Sequence, residues 1–173
     1  NLIGGNGGPG VLIEGPNATG NKVNNSIIGT DENGTPGLGN GGDGVKVQDA
    51  PDNVIGEPIG GGLQNVIAGN SGNGIAIEGP GAHHNGMLGN LIGVIQRDGL
   101  LIKLGNQLNG IFIKDAASNI MGSLSALGGN TVSGNGLNGI LLSGSQATGN
   151  TIKQNLIGAG DTAGSTGFGN LHN

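Results

Sequence analysis

The residues able to do chemistry in this chain are few, and their spacing decides what they can do. Asp49 and Asp115 each follow a four-residue apolar-alternating segment (VKVQ and IFIK), and each is followed by Ala. Glycoside hydrolysis needs two carboxyl groups about 5–9.5 Å apart on one face. The alternative role is a turn, where Asp commonly caps its own backbone. Glu14, Gln48, Glu78, Lys114 and Ser143 end equivalent segments and read as one outward row, with Glu78 and Lys114 as an exposed ion pair. Arg97 is the single Arg and has Asp98 beside it. His83 and His84 supply two ligands with no Cys or carboxylate next to them in sequence, short of what zinc requires. Asp31-Glu32-Asn33-Gly34 has the oxygen-rich start of a calcium loop without its terminal Glu, so calcium is the one cofactor the sequence leaves open.

What positions these groups is a repeat. NLIGGNGGPGVLIEGPNATGN (1–21) aligns without a gap on NVIAGNSGNGIAIEGPGAHHN (65–85), and NTVSGNGLNGILLSGSQATGN (130–150) is a third copy. Super-repeats 1–64, 65–129 and 130–173 follow, all within one domain, 1–173. Inside them the pattern Asn-x-x-x-Gly-(Ile/Val)-x-(Ile/Val/Leu) starts at Asn6, Asn40, Asn70, Asn106 and Asn135, at spacings of 29–36 residues. Two shorter Asn- or Ser-led signals lie between successive copies, such as Asn53-Val54-Ile55 and Asn65-Val66-Ile67. Three short strands per coil predict an all-β fold, a right-handed parallel β-helix or three-sided β-solenoid of about five coils.

The physics agrees. Strands of two to four apolar residues cannot stand alone. Stacked at about 4.8 Å they pair above and below. Alternation then turns Val11, Val45, Ile75, Ile111 and Ile140 inward, together with Ile13, Val47, Ile77, Ile113 and Leu142. Gly and Asn tolerate the left-handed backbone that sharp corners need. With two Phe and no Trp or Tyr, the core must be stacked Ile, Val and Leu. Each odd coil is followed by a long connection, Gly29–Asn40, Gly93–Asn106 and Gly158–Asn170, on one side of the solenoid. These loops carry Asp31, Glu32, Arg97, Asp98, Lys103 and Asp161.

Segments 26–47 (SIIGTDENGTPGLGNGGDGVKV) and 130–158 (NTVSGNGLNGILLSGSQATGNTIKQNLIG) resemble the parallel β-helix repeats of the pectin-lyase-like superfamily. They are similar to the repeat arrays of large secreted bacterial surface proteins, and the resemblance covers essentially the whole chain. It implies polysaccharide lyases and hydrolases on one side, adhesins and non-catalytic stalks on the other. A pectate-lyase-like site implies clustered Asp with an Arg or Lys base, and a polygalacturonase-like site implies paired Asp, Gly-His-Gly and Arg-x-Lys. Neither set carries over, because His83-His84 lacks Gly neighbours and Arg97 stands alone.

Composition narrows the partners. Net charge is −5 with six scattered Lys and Arg, which excludes a basic footprint for nucleic acid. No apolar run approaches the ~18–20 residues of a membrane-spanning helix. Sugar-binding aromatic platforms are missing, and Thr19, Thr148 and Thr151 form no continuous row of the kind ice binding wants. The central outward residues of the longest strands are Leu12, Lys46, Ala76, Phe112 and Leu141. Four of these are apolar, so Leu12, Ala76, Phe112 and Leu141 mark a candidate interaction surface. Asn1 and Asn173 mark candidate junctions for end-on assembly, with self-association or an adjoining β-helical segment as partner. The expectation is a non-catalytic extracellular or cell-surface module (stalk, adhesin segment or filament subunit), part of a longer chain or an assembly. The alternative is a polysaccharide-active lyase or hydrolase, which makes polysaccharide the other candidate partner.

Overall fold

The computed structural model describes residues 1–57, 64–123, 128–159 and 167–172. Three parallel sheets form its sides. The first consists of the four-residue strands β2 (Val11–Glu14), β5 (Val45–Gln48), β8 (Ile75–Glu78), β13 (Ile111–Lys114) and β16 (Ile140–Ser143). The second is built from β3 (Lys22–Val23), β6 (Val54–Gly56), β9 (Gly86–Leu88), β14 (Ile120–Gly122) and β17 (Thr151–Lys153). The third holds β1 (Leu2–Ile3), β4 (Ile27–Ile28), β7 (Val66–Ile67), β10 (Leu91–Ile92), β15 (Thr131–Val132) and β18 (Leu156–Ile157). Among the described residues there is no helix. The chain is therefore a three-sided β-solenoid, and the five rungs of the first sheet span four turns from β2 to β16.

Register follows the repeat residue by residue. Val11, Val45, Ile75, Ile111 and Ile140 are successive partners, and so are Ile13, Val47, Ile77, Ile113 and Leu142. These two ladders join Ile28, Ile67 and Ile92 of the third sheet and Ile55, Met87 and Met121 of the second in one aliphatic core. Each strand is too short to hold itself, so this shared interior is what fixes the coil.

The corners are built from Asn. Asn6, Asn40, Asn70, Asn106, Asn135 and Asn170 form one column, in which each Nδ2 donates to the next Oδ1 at 2.8–3.0 Å. A second column runs Asn21, Asn53, Asn85, Asn119 and Asn150. A third runs Asn1, Ser26, Asn65, Asn90, Asn130 and Asn155. In all three the donor belongs to the earlier coil. A fourth column points the other way, from Asn138 through Asn109 and Asn73 to Asp43, where the carboxylate Oδ1 accepts both the backbone and side-chain N–H of Asn73. Buried amides are tolerated because donors and acceptors are matched.

One element departs from the solenoid pattern. Residues of the long connection after β10 form an antiparallel hairpin, β11 (Val94–Arg97) and β12 (Leu100–Lys103), around Asp98-Gly99. Both turn residues have positive φ, 52° and 77°, as a two-residue type I′ turn requires. The hairpin reaches the long connections two coils away on either side: Arg97 Nη1 donates to the Asn33 carbonyl and Lys103 Nζ to that of Gly169.

Candidate functional site

The first-sheet corner carries the densest set of polar side chains. The residue just after each long strand is Gly15, Asp49, Gly79, Asp115 or Gly144, and all five have positive φ. A Cβ on Gly79 would collide with the Asp49 carboxylate, and one on Gly144 with that of Asp115. Asp and Gly alternate because each carboxylate fills the space beside the next coil's corner. The Asp49 Oδ1 accepts the Gly81 amide at 3.2 Å, and Asp115 Oδ1 accepts that of Gln146 at 3.3 Å. The turn role holds, with one correction. These carboxylates cap the following coil rather than their own backbone, since their left-handed φ turns the side chain along the stack. A coil intervenes between them, which places them about 9.6 Å apart at about 4.8 Å per rung.

The outward row Glu14, Gln48, Glu78, Lys114 and Ser143 is in register. Its ion pair is not Glu78–Lys114. Glu78 Oε2 instead meets Lys46 Nζ at 3.0 Å, both side chains about three-quarters covered. Lys46 sits in the central outward row, and its long stem reaches the neighbouring rung's carboxylate. The candidate surface is also altered. Leu12 is 51 % exposed and Phe112 and Leu141 are half-buried, but Ala76 is fully buried. A methyl group in register between Lys46 and Phe112 has longer side chains on both sides. The stripe is thus interrupted rather than continuous.

In the loop after β4, Asp31 is occupied by its own backbone. Its Oδ1 accepts the amides of Asn33 and Thr35, each at 2.9 Å, and its Oδ2 accepts the Thr35 hydroxyl at 2.7 Å. The Thr35 hydroxyl, then the backbone donors, hold the Asp31 carboxyl below its ordinary value of 3.8. Asp98 is spent on the hairpin turn. Asp161 and Asn173 lie outside the described residues.

His83 and His84 are closer to acid than the sequence indicates. Another column, Gly20, Asp52, His84, Ser118 and Gly149, stands immediately before the second Asn column, and every member has positive φ. That register places Asp52 beside His84, with Oδ1 3.9 Å from Nδ1, although 32 positions separate them in the chain. The signal was legible as the residue preceding each ladder Asn. No hydrogen bond joins Ser118 to His84, so the column is not a nucleophile–base–acid relay. Among the described residues no three metal-binding side chains already surround one point.

The polar side chains in these columns are thus turned to holding coil on coil. No protein-family model, curated protein or solved structure matches this chain.

Proposed function

We propose that this chain is a non-catalytic structural module of an extracellular surface, a stalk, adhesin segment or filament subunit that docks end-on to further coils. The observation carrying this reading is the polarity of the amide columns. In three of them every earlier coil donates and every later coil accepts. The Asn1, Asn6 and Asn21 side therefore offers Oδ1 acceptors, to which no described residue donates. The Asn150, Asn155 and Asn170 side offers amide hydrogens beyond those given to Ala116, Met121 and Val132. The two outermost rungs are complementary to a further coil, whether of an adjoining β-helical segment or of another copy, and open strand edges β1–β3 and β16–β18 add backbone pairing.

Resemblance to the pectin-lyase-like repeats, and to secreted bacterial surface arrays among them, accords with this assignment and with an extracellular location. Electron microscopy of the purified chain at neutral pH, with a screen of acidic polysaccharides alongside, tests it. Rods or filaments with rungs near 4.8 Å and no polysaccharide cleavage support the structural module. Cleavage that disappears in folded Asp49→Asn or Asp115→Asn protein overturns it.

A further inference from the structure

We propose that Asn33-Gly34 is a self-modifying site, where the chain converts one asparagine to isoaspartate and presents the new carboxylate to Arg97. Asn followed by Gly is prone to ring closure, because a residue without Cβ lets its backbone nitrogen approach the preceding side chain. The chain has eight such pairs. Seven belong to the amide columns, from Asn6 to Asn138, and each of those side chains donates through Nδ2 to a neighbour at 2.8–3.2 Å. Five of the Gly amides that follow them also bond across coils, at 2.7–2.9 Å. Asn33 is the exception. Its side chain is exposed and makes no hydrogen bond with a described residue. The Gly34 amide makes only a local turn bond, 3.2 Å from the Asp31 carbonyl. The fold itself requires Gly at 34, since φ is 74° and a Cβ would meet Ile95 Cδ1 at 2.6 Å.

The step needs only water. The Gly34 nitrogen attacks Asn33 Cγ and the Cγ–Nδ2 bond breaks. The amide proton passes through solvent to the departing nitrogen, which leaves as ammonia, and a five-membered imide remains. Water then opens the imide at one of its two carbonyls. Opening at Cγ gives aspartate, whereas opening at the former backbone carbonyl gives isoaspartate, with the chain continuing through Cβ and Cγ. Arg97 decides between them. Its Nη1 already donates to the Asn33 backbone carbonyl at 3.3 Å, so the guanidinium polarises that carbonyl toward water. In the isoaspartate the same carbon becomes a free carboxylate, which the planar guanidinium can hold through two parallel bonds. The hairpin β11–β12 thereby gains a firmer hold on the loop after β4, in a step that runs once per molecule and without an enzyme.

The full chain is held folded at mildly alkaline pH, with a parallel sample unfolded in urea. Peptide mass spectrometry follows amide-to-acid conversion at each Asn-Gly pair, and enzymatic carboxyl methylation reports isoaspartate. In the folded chain Asn33 should convert at least about tenfold faster than any of the seven column residues, which must first open locally. In urea all eight should react at comparable rates. Asn33→Gln, a change to an exposed loop side chain, should remove the folded-state signal. Arg97→Gln should lower the isoaspartate share at position 33 toward the share found in urea. Column residues converting as fast as Asn33 in the folded chain overturn the site. An isoaspartate share unchanged in Arg97→Gln overturns the role of Arg97.

Discussion

Removing one buried amide, Asn106→Ala, should cost about 4 kcal/mol. The side chain takes part in four hydrogen bonds: it accepts from Asn70 N at 3.2 Å and Asn70 Nδ2 at 2.9 Å, and donates to Ile67 O and Asn135 Oδ1, both at 3.0 Å. Each bond contributes about 1 kcal/mol net. The Asn70 side chain keeps partners in the carbonyls of Ile28 and Ala68, but its buried backbone N–H loses its acceptor, a penalty of about 1–3 kcal/mol. Against this, the loss of amide desolvation and side-chain ordering returns part of the sum. The control is Asn6→Ala in the outermost rung of the same column. Its side chain is exposed and donates only to Asn40 Oδ1, so the cost there should stay below about 1 kcal/mol. Urea denaturation followed by far-ultraviolet circular dichroism reads both. A third variant, Asn106→Asp, sets carboxylate oxygen against the Ile67 and Asn135 oxygens, which raises its folded pKa above the unfolded ~3.9. Its deficit is therefore full above that raised folded pKa and shrinks as pH falls toward ~3.9. Equal costs for the Asn106 and Asn6 variants, or an Asn106→Asp deficit that grows on acidification, would refute the claim that the columns hold the coils.

Gly93→Ala should destabilise the fold by about 3 kcal/mol or more, because φ is 81° and the new Cβ meets the Ser133 carbonyl and Asn135 Oδ1. Gly5→Ala, with φ at 71° and nothing within 4 Å, should lose only the ~1–2 kcal/mol of left-handed strain. The two can be compared in one set of melts. Lys46→Gln should cost no more than about 1 kcal/mol, and the difference from the parent should shrink in high salt. A Thr35→Val chain should show the Asp31 carboxyl titrating closer to 3.8 by carbon-13 NMR. In the parent, whose Asp31 pKa is lowered, the loop's extra stability is present above the unfolded pKa. It should be lost as pH falls through the folded one, seen as faster exchange at the Thr35 amide.

The sequence exposed the coil because its signals repeat. Val45, Ile75 and Ile111 recur at the same offset from a corner Asn, so register needed no tertiary information. The hairpin β11–β12 was readable too, since Val-Ile-Gln-Arg-Asp-Gly-Leu-Leu-Ile-Lys sets an Asp-Gly turn between two β-branched or apolar segments. It lies inside a connection between two coil signals, and attention to the longer period passes over it. Other features are invisible to periodicity. Lys46 reaches Glu78 diagonally across neighbouring rungs, and Glu78's register partner Lys114 is passed over. Ala76 is buried because its neighbours are long. The approach of Asp52 to His84 depends on the αL column, which becomes readable only once Asn53 and Asn85 are known to stack.

The backbone bonds of all three sheets lie along the solenoid axis, and that makes the molecule mechanically anisotropic. Tension spread over a whole end face loads three strand pairings and the amide contacts of one rung together, so the rod resists as a unit. Tension delivered through the chain instead reaches the two-residue edge strand β1 at one end, and at the other the few bonds that tie Phe168, Asn170, Leu171 and His172 to the preceding coil. It unzips a few bonds at a time. Each coil of 29–36 residues that lets go releases about 100–130 Å of extended chain. A force–extension trace of this protein should therefore show teeth whose spacing follows the length of each coil, low in force, from an object that is stiff when gripped broadly.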